Sequence, residues 1–351
     1  MSAHLIAIGT ATPDHDIHAA FLAWARERVA PREARLFDRM AVRAAIGHRW
    51  SVLPEEERPT EPGGFYGTDT MPGTAQRMAI YAQAAPALAL RAIERLAAKV
   101  PLDGITHLVV ASCTGFVAPG IDQIIARTLG LPAGVERLLV GFMGCYAAVA
   151  ALRSARHIVR SDPAARVLVV TVELSTLHLQ GDTALEPLLA QLQFGDGAAA
   201  ALVAAEPVGF TLGETFAAAV PDSHELIRWT ITDQGFVMEL AGAVPGRIGA
   251  ALAEPALRAA VTGGLDPAAI DGWAVHAGGR SILDAVEGAL GLGPDALAAS
   301  RAVLHAAGNM SSATLMFVLE RLLAGTPVRE GRALAFGPGL AAEGFAFRSA
   351  A

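Results

Sequence analysis

The chain has 351 residues, 53% of them hydrophobic and 17% charged, with a net charge of −7. That length exceeds one hydrophobic core and predicts two domains or a duplicated one, while the negative charge argues against nucleic acid as a partner. Two cysteines and no CxxC pair exclude a disulfide framework and a cysteine-based zinc site, so a reducing compartment and no metal are expected.

The N-terminus, Met1-Ser2-Ala3-His4-Leu5-Ile6-Ala7-Ile8, has neither a basic region nor a long apolar core. It reads as the approach to a first strand at 5–9 and not as a signal peptide. No stretch reaches the roughly 18 apolar residues of a membrane span, so a cytoplasmic protein is expected. Residues 50–71 are rich in Pro, Glu and Gly and read as an extended loop. Apolar periodicity then predicts a helix over 74–99, a strand at 107–112, a helix over 121–129 and a strand at 137–141. A helix over 147–160, strands at 166–173 and 198–204 and a helix over 247–260 follow. The chain closes with a strand at 273–276, helices over 282–289 and 312–324, and a strand at 333–336. The strands are continuously apolar, which means burial on both faces and an α/β sandwich with helices outside and between sheets. Phe194-Gly195-Asp196-Gly197-Ala198-Ala199 is echoed by Phe336-Gly337-Pro338-Gly339-Leu340-Ala341, 142 positions later. The echo predicts two similar halves, 1–205 and 206–351.

Three segments carry polar residues that packing alone does not demand. Cys145 stands in Gly141-Phe142-Met143-Gly144-Cys145-Tyr146, between a strand and the start of an apolar helix. A thiol at a helix N-terminus feels the positive end of the macrodipole, and preceding glycines admit a close approach. His276 ends a buried strand in Trp273-Ala274-Val275-His276-Ala277-Gly278-Gly279. Asn309 lies in Gly308-Asn309-Met310-Ser311-Ser312-Ala313, which opens a helix. Each has an ordinary explanation taken singly: Cys145 as a small buried hydrophobe, His276 as a bonded core histidine, Asn309, Ser311 and Ser312 as helix caps. Together they suggest a thiol nucleophile, an imidazole that activates it and an amide that binds developing negative charge.

With these strings, the chain resembles the type III polyketide synthases, the chalcone synthase-like family of the thiolase superfamily. The likeness runs from Leu5-Ile6-Ala7-Ile8-Gly9-Thr10-Ala11-Thr12-Pro13 through the Cys145, Phe194, His276 and Asn309 segments to Gly337-Pro338-Gly339-Leu340. The resemblance implies a five-layered αβαβα fold of two duplicated halves, a homodimer, and no cofactor beyond CoA thioester substrates. It implies a catalytic triad of Cys145, His276 and Asn309, with His276 as an imidazolium stabilising a Cys145 thiolate. Phe194 matches the aromatic gatekeeper, and Arg39 and Arg43 match basic residues that hold CoA phosphates; their other reading is a solvated helix face. Gly278 and Gly279 fall beside CoA, and Ser311 falls in the substrate pocket. The implied reaction loads a starter acyl-CoA on Cys145, extends it by repeated decarboxylative condensation with malonyl-CoA, and cyclises the chain to a pyrone, resorcinol or related phenolic product.

Several positions depart from the plant-type pattern. Met238 stands where a second gatekeeper Phe is usual, Trp229 where a small residue is usual, and Cys113 where plant members carry Thr. Cys113 reads as pocket-lining and not as a second nucleophile; Ser175 and His178 match two further cavity positions, His178 being otherwise simply packed. Ala277 replaces a common Pro, and Leu36 replaces a basic CoA contact. These departures point away from a plain chalcone synthase and towards a bacterial member acting on fatty acyl-CoA or on malonyl-CoA alone. Two other readings stand beside this one: a ketoacyl synthase III-like enzyme making a single condensation with carrier-protein substrates, and a non-catalytic partner subunit that keeps the fold.

Overall fold

The computed structural model describes residues 2–67 and 70–350. The extended segment expected at 50–71 therefore includes two positions, Thr68 and Asp69, outside the described residues. The strands are β1 (Ala3–Ala11), β2 (His15–Asp16), β3 (Trp50–Ser51), β4 (His107–Ser112), β5 (Glu136–Gly141), β6 (Val167–Leu174), β7 (Asp196–Ala204), β8 (Phe210–Ala219), β9 (Ile227–Thr232), β10 (Gly235–Leu240), β11 (Gly272–Val275), β12 (Gly331–Gly337) and β13 (Ala341–Ser349). The helices are α1 (His18–Arg28), α2 (Ala34–Ala44), α3 (Thr74–Ala97), α4 (Ile121–Thr128), α5 (Ala147–Ser161), α6 (Leu185–Gln191), α7 (Val244–Ala253), α8 (Pro255–Thr262), α9 (Arg280–Leu290), α10 (Ala298–Ala307) and α11 (Ser312–Leu323).

Nine strands form one sheet in the order β5-β4-β6-β7-β1-β8-β13-β12-β11. The join between its two parts is short: Ala3–Leu5 of β1 pairs with Phe210–Leu212 of β8. On either side of the join the pairing repeats. β4 runs parallel to β6, which is antiparallel to β7, which is antiparallel to β1. Likewise β11 runs parallel to β12, which is antiparallel to β13, which is antiparallel to β8.

Strand alternation sets the layers. Val109 and Ala111 of β4, Val167 and Val169 of β6, and Ala333 and Ala335 of β12 share a central core with α5 and α11. Their neighbours Leu108, Val110, Leu168 and Val170 face the opposite way, onto α1 and α3. Trp273, Val275, Leu334 and Phe336 face α7 and α9. The result is helix, sheet, helix, sheet, helix: the αβαβα sandwich. α5 is rich in alanine because it is squeezed between the two parts of the sheet; Ala147, Ala148, Ala151 and Ala155 are all fully buried. A larger side chain there would displace backbone on one side or the other.

The structure corrects several sequence expectations. The helix expected over 247–260 is two, because Pro255 forces Glu254 into an extended conformation between α7 and α8. Helices α1, α2, α6 and α10 and strands β8, β9, β10 and β13 were not anticipated. β8 to β10 are half-exposed; β9 alternates apolar and polar side chains, and the apolar runs in β8 and β10 are only three or four residues long, too short to announce a strand. Residues 50–71 hold the short strand β3, paired with β2, and a 3-10 turn at Glu55–Glu57.

Candidate active site

Cys145 sits in a 3-10 turn (Gly144–Tyr146) that feeds directly into α5. Gly144 has φ +79, and a Cβ there would lie 2.4 Å from the Pro338 ring, so the turn that presents the thiol requires glycine. The two other polar groups arrive from the opposite part of the chain. His276 follows the last residue of β11, its N–H donating to the Leu334 carbonyl at 2.8 Å. Asn309 is clamped by the segment around Phe194: its N–H donates to the Gln193 carbonyl at 2.7 Å, and its carbonyl accepts from Gly195 N at 3.0 Å. The Asn309 amide is oriented as well. Oδ1 accepts from Ser311 N at 2.8 Å and Nδ2 donates to the Gly278 carbonyl at 3.3 Å. Ser311 holds φ +47, a strained conformation for a side-chain-bearing residue, right where α11 begins.

Cys145, His276 and Asn309 line one chamber of about 30 Å³, little more than a water molecule. Cys113, Ser175, Phe194, Trp229, Met238, Gly278 and Ser311 share its walls. Both ring nitrogens of His276 lack a hydrogen-bond partner among the described residues, although the side chain is buried. An imidazole with two unsatisfied nitrogens in a closed chamber is not explained by packing, because buried polar groups are normally bonded. Burial pushes the Cys145 thiol up to about 12, against the pull of the Ser311 and Asn309 side chains that hydrogen-bond it. Burial likewise pushes His276 down to about 3. Both effects favour a neutral thiol beside a neutral imidazole. The thiolate–imidazolium pair expected from the sequence would have to form against both of these burial effects.

Other expected residues fall into distinct places. Cys113 accepts a hydrogen bond on Sγ from Gly144 N at 2.9 Å, so it supports the turn beneath Cys145; desolvation holds its thiol well above its usual range, which disfavours its thiolate. Trp229 and Met238 pair directly across the β9–β10 hairpin and together form one wall, with Trp229 Nε1 donating to the Cys113 carbonyl at 3.1 Å. His178 lies outside the Cys145 chamber, in a neighbouring cavity of about 410 Å³. Its Nε2 donates to the Thr114 carbonyl at 2.7 Å, its Nδ1 accepts from Phe236 N at 3.0 Å, and its ring stacks on Phe236. With both nitrogens engaged it serves as wall. Ser175, Phe194, Trp229 and Met238 separate this cavity from the chamber, since they line both.

Towards the surface lies a third cavity, of about 660 Å³, which shares Leu240 and Ile282 with the chamber. Arg43 lines it; Arg39, exposed one turn earlier on α2, is not in the lining, and Gly279 packs against the Gln193 side chain. Arg280, at the first turn of α9, supplies the cavity's second cation. Sequence reasoning passed over Arg280, Arg49 and Glu173. Arg49 is buried, and its Nη1 donates to the carbonyls of Phe194 at 2.8 Å and Gln191 at 3.0 Å, fixing the turn between α6 and β7 from behind. Glu173 accepts from Cys113 N at 3.0 Å and Thr114 Oγ1 at 2.9 Å, and from Ser312 Oγ, tying the Cys113 strand end to the start of α11. Burial raises its carboxyl to about 7. A carboxylate closing an otherwise apolar strand was the available signal.

Comparison with known proteins agrees with this geometry. Residues 1–207 match the N-terminal domain of chalcone and stilbene synthases, and residues 212–351 match their C-terminal domain. The structure is similar to PKS-I from the brown alga Ectocarpus siliculosus, with a TM-score of 0.87 and 28% identity over 99% of this chain and 98% of that one. It is also similar to the C-terminal type III polyketide synthase domain of Steely1, a type I/III hybrid from Dictyostelium, with a TM-score of 0.87 and 24% identity over 100% of both chains. With family domains matching end to end around a chamber that gathers thiol, imidazole and carboxamide, the chain belongs to the chalcone and stilbene synthase family and is a type III polyketide synthase.

Proposed function

We propose that this enzyme loads a starter acyl group from CoA onto Cys145 and extends it repeatedly with malonyl-CoA before cyclisation to a pyrone, resorcinol or related phenolic product. One observation supports the reading most strongly: Cys145 from the segment 1–205 and His276 and Asn309 from the segment 206–351 open into one buried chamber. We assign the nucleophile to the first segment and the base and amide donor to the second.

Starting from the neutral pair that burial favours, the chemistry runs as coupled proton transfer. Cys145 Sγ attacks the thioester carbonyl while His276 takes the thiol proton; the tetrahedral intermediate collapses, and the imidazolium returns that proton to the departing CoA thiolate. Malonyl-CoA then loses CO₂, leaving an enolate whose oxygen is bound by Asn309 Nδ2 and the N–H of neutral His276. In so small and buried a chamber each donor acts strongly. The enolate carbon attacks the acyl-Cys145 carbonyl, Cys145 leaves as thiolate, and the lengthened chain on CoA returns to Cys145 for the next round. The reading calls for CoA thioesters and no resident cofactor.

The chamber is too small for a growing chain. We assign the neighbouring 410 Å³ cavity, beyond Phe194, Trp229 and Met238, to the distal end of the starter and intermediates. A fatty acyl tail or a malonyl-primed chain would enter there. We also propose a cytoplasmic homodimer. β5 is an edge strand of the sheet, and its Leu138 and Leu139, with Phe116, remain exposed, a surface that a second copy would cover. Among the described residues, no helix is long and apolar enough to cross a membrane. Incubation with malonyl-CoA and a panel of acyl-CoAs, followed by mass spectrometry, tests the proposal. Products extended by two or more ketide units support it; a single condensation would favour a ketoacyl synthase III-like enzyme.

A further inference from the structure

The β9–β10 hairpin forms one wall of the chamber. Ile227 pairs with Leu240 and Trp229 with Met238, and all four line the space around Cys145. Met238 and Leu240, two residues apart on β10, share a face of the strand. They differ in what else they border. Met238 borders the chamber and the 410 Å³ cavity, whereas Leu240 borders both of these and the 660 Å³ cavity at the mouth. Among the described residues, Leu240 alone lines all three. The partition between the two larger cavities is otherwise slight. It consists of Glu186 and Ala190 of α6 with Leu240 and Ala241. Glu186 Oε1 accepts from Gly242 N at 3.0 Å, which ties α6 to the segment after β10. Two of the four side chains are single methyl groups, so Leu240 supplies the apolar bulk. It stays only partly buried although it packs against the core that contains Val244 and Ile248.

Every extension brings two chains to Cys145 at once. The acyl group already on sulfur extends into the 410 Å³ cavity, and the arm of the incoming thioester comes from the mouth. The chamber between them, of about 30 Å³, has no spare room. An acyl chain that bends back towards the mouth occupies the path of the next donor. A longer chain has more rotatable bonds and therefore more conformations that lead there. Phe194, Trp229 and Met238 cannot prevent this, because none of them borders the mouth. We propose that Leu240 is a positioning residue that keeps the two chains apart, filling the junction so that the bound acyl chain stays in the 410 Å³ cavity and the arm's path stays free. It supplies no proton and no hydrogen bond; it acts on the reaction by sorting the chains. Removing its bulk therefore harms extension more as the acyl chain lengthens, and spares loading. This inference rests on the acyl-transfer reading of Cys145 and on the assignment of the 410 Å³ cavity to the acyl chain, both given above.

The test separates loading from extension. A panel of straight-chain acyl-CoAs is offered to the wild-type enzyme, and the shortest and longest acyl groups that it loads are carried forward. Intact-mass spectrometry measures the acyl-enzyme, and rapid quenching measures one round of extension at varied malonyl-CoA. In Leu240→Ala, loading of either group is expected to stay within about threefold of the wild-type rate. The KM for malonyl-CoA is expected to rise about tenfold or more on the longest acyl-enzyme and less than about threefold on the shortest. Leu240→Met, a swap that conserves volume, is expected to restore extension of the longest chain. Far-UV circular dichroism confirms that both variants are folded. An equal rise in KM for both lengths, a loss of loading, a fall in kcat alone, or no change at all overturns the proposal, because each reports a role other than sorting. A wild-type enzyme that loads no acyl group counts instead against the acyl-transfer reading itself.

Discussion

Around Cys145 the walls are buried, the volume is about 30 Å³, and the polar groups are few. At the mouth, the 660 Å³ cavity is bordered by exposed arginines on the first turn of one helix and the last turn of another. The two regions obey different physics. In the chamber, desolvation sets protonation states and magnifies each donor; at the mouth, water and salt screen every charge. Substitutions in the chamber should therefore act on the chemical step, and substitutions at the mouth on binding.

The largest such effect is expected from Asn309→Ala. Loss of one preorganised donor to the enolate costs about 2.7–4 kcal/mol, or roughly 10²–10³-fold in malonyl-CoA decarboxylation. Unchanged CO₂ release would remove Asn309 from that role and erase the contrast. Next comes the protonation state. A thiol held up to about 12 is scarcely ionised at neutral pH, so its alkylation by iodoacetamide should rise about tenfold per pH unit from pH 7 to 9. A rate already level by pH 7 would restore the thiolate–imidazolium pair. Ala151→Leu, which overpacks α5 between the two parts of the sheet, should cost about 1–3 kcal/mol in denaturant unfolding. Arg280→Ala should raise KM for CoA thioesters about tenfold or less with kcat preserved. It should leave N-acetylcysteamine thioesters, which lack phosphates, unaffected. A loss confined to kcat would place Arg280 in the chemistry and not at the mouth.

The same contrast governs how legible the molecule was in its sequence. The strands β4, β6 and β7 were evident because both of their faces are buried and each carries an apolar run of four or more residues. The chamber was evident because its backbone needs unusual residues: a glycine before Cys145 and the Gly308-Asn309-Met310-Ser311 turn. The β9–β10 hairpin, half exposed, hid the elements that carry Trp229 and Met238, although both residues were noticed. Arg280 escaped because an arginine at the start of an exposed helix looks like any solvated charge. Only the fold shows that it shares a cavity with Arg43. Arg49 and Glu173 escaped for the opposite reason, since their importance lies in carbonyls and N–H groups from distant segments.

The most direct test is the mass of the enzyme after brief exposure to a starter acyl-CoA without malonyl-CoA. A single acyl adduct that maps to the Cys145 peptide, absent in Cys145→Ala and slowed in His276→Ala, is the predicted result. An adduct of the same mass in Cys145→Ala, or none in the wild-type protein, would contradict the account.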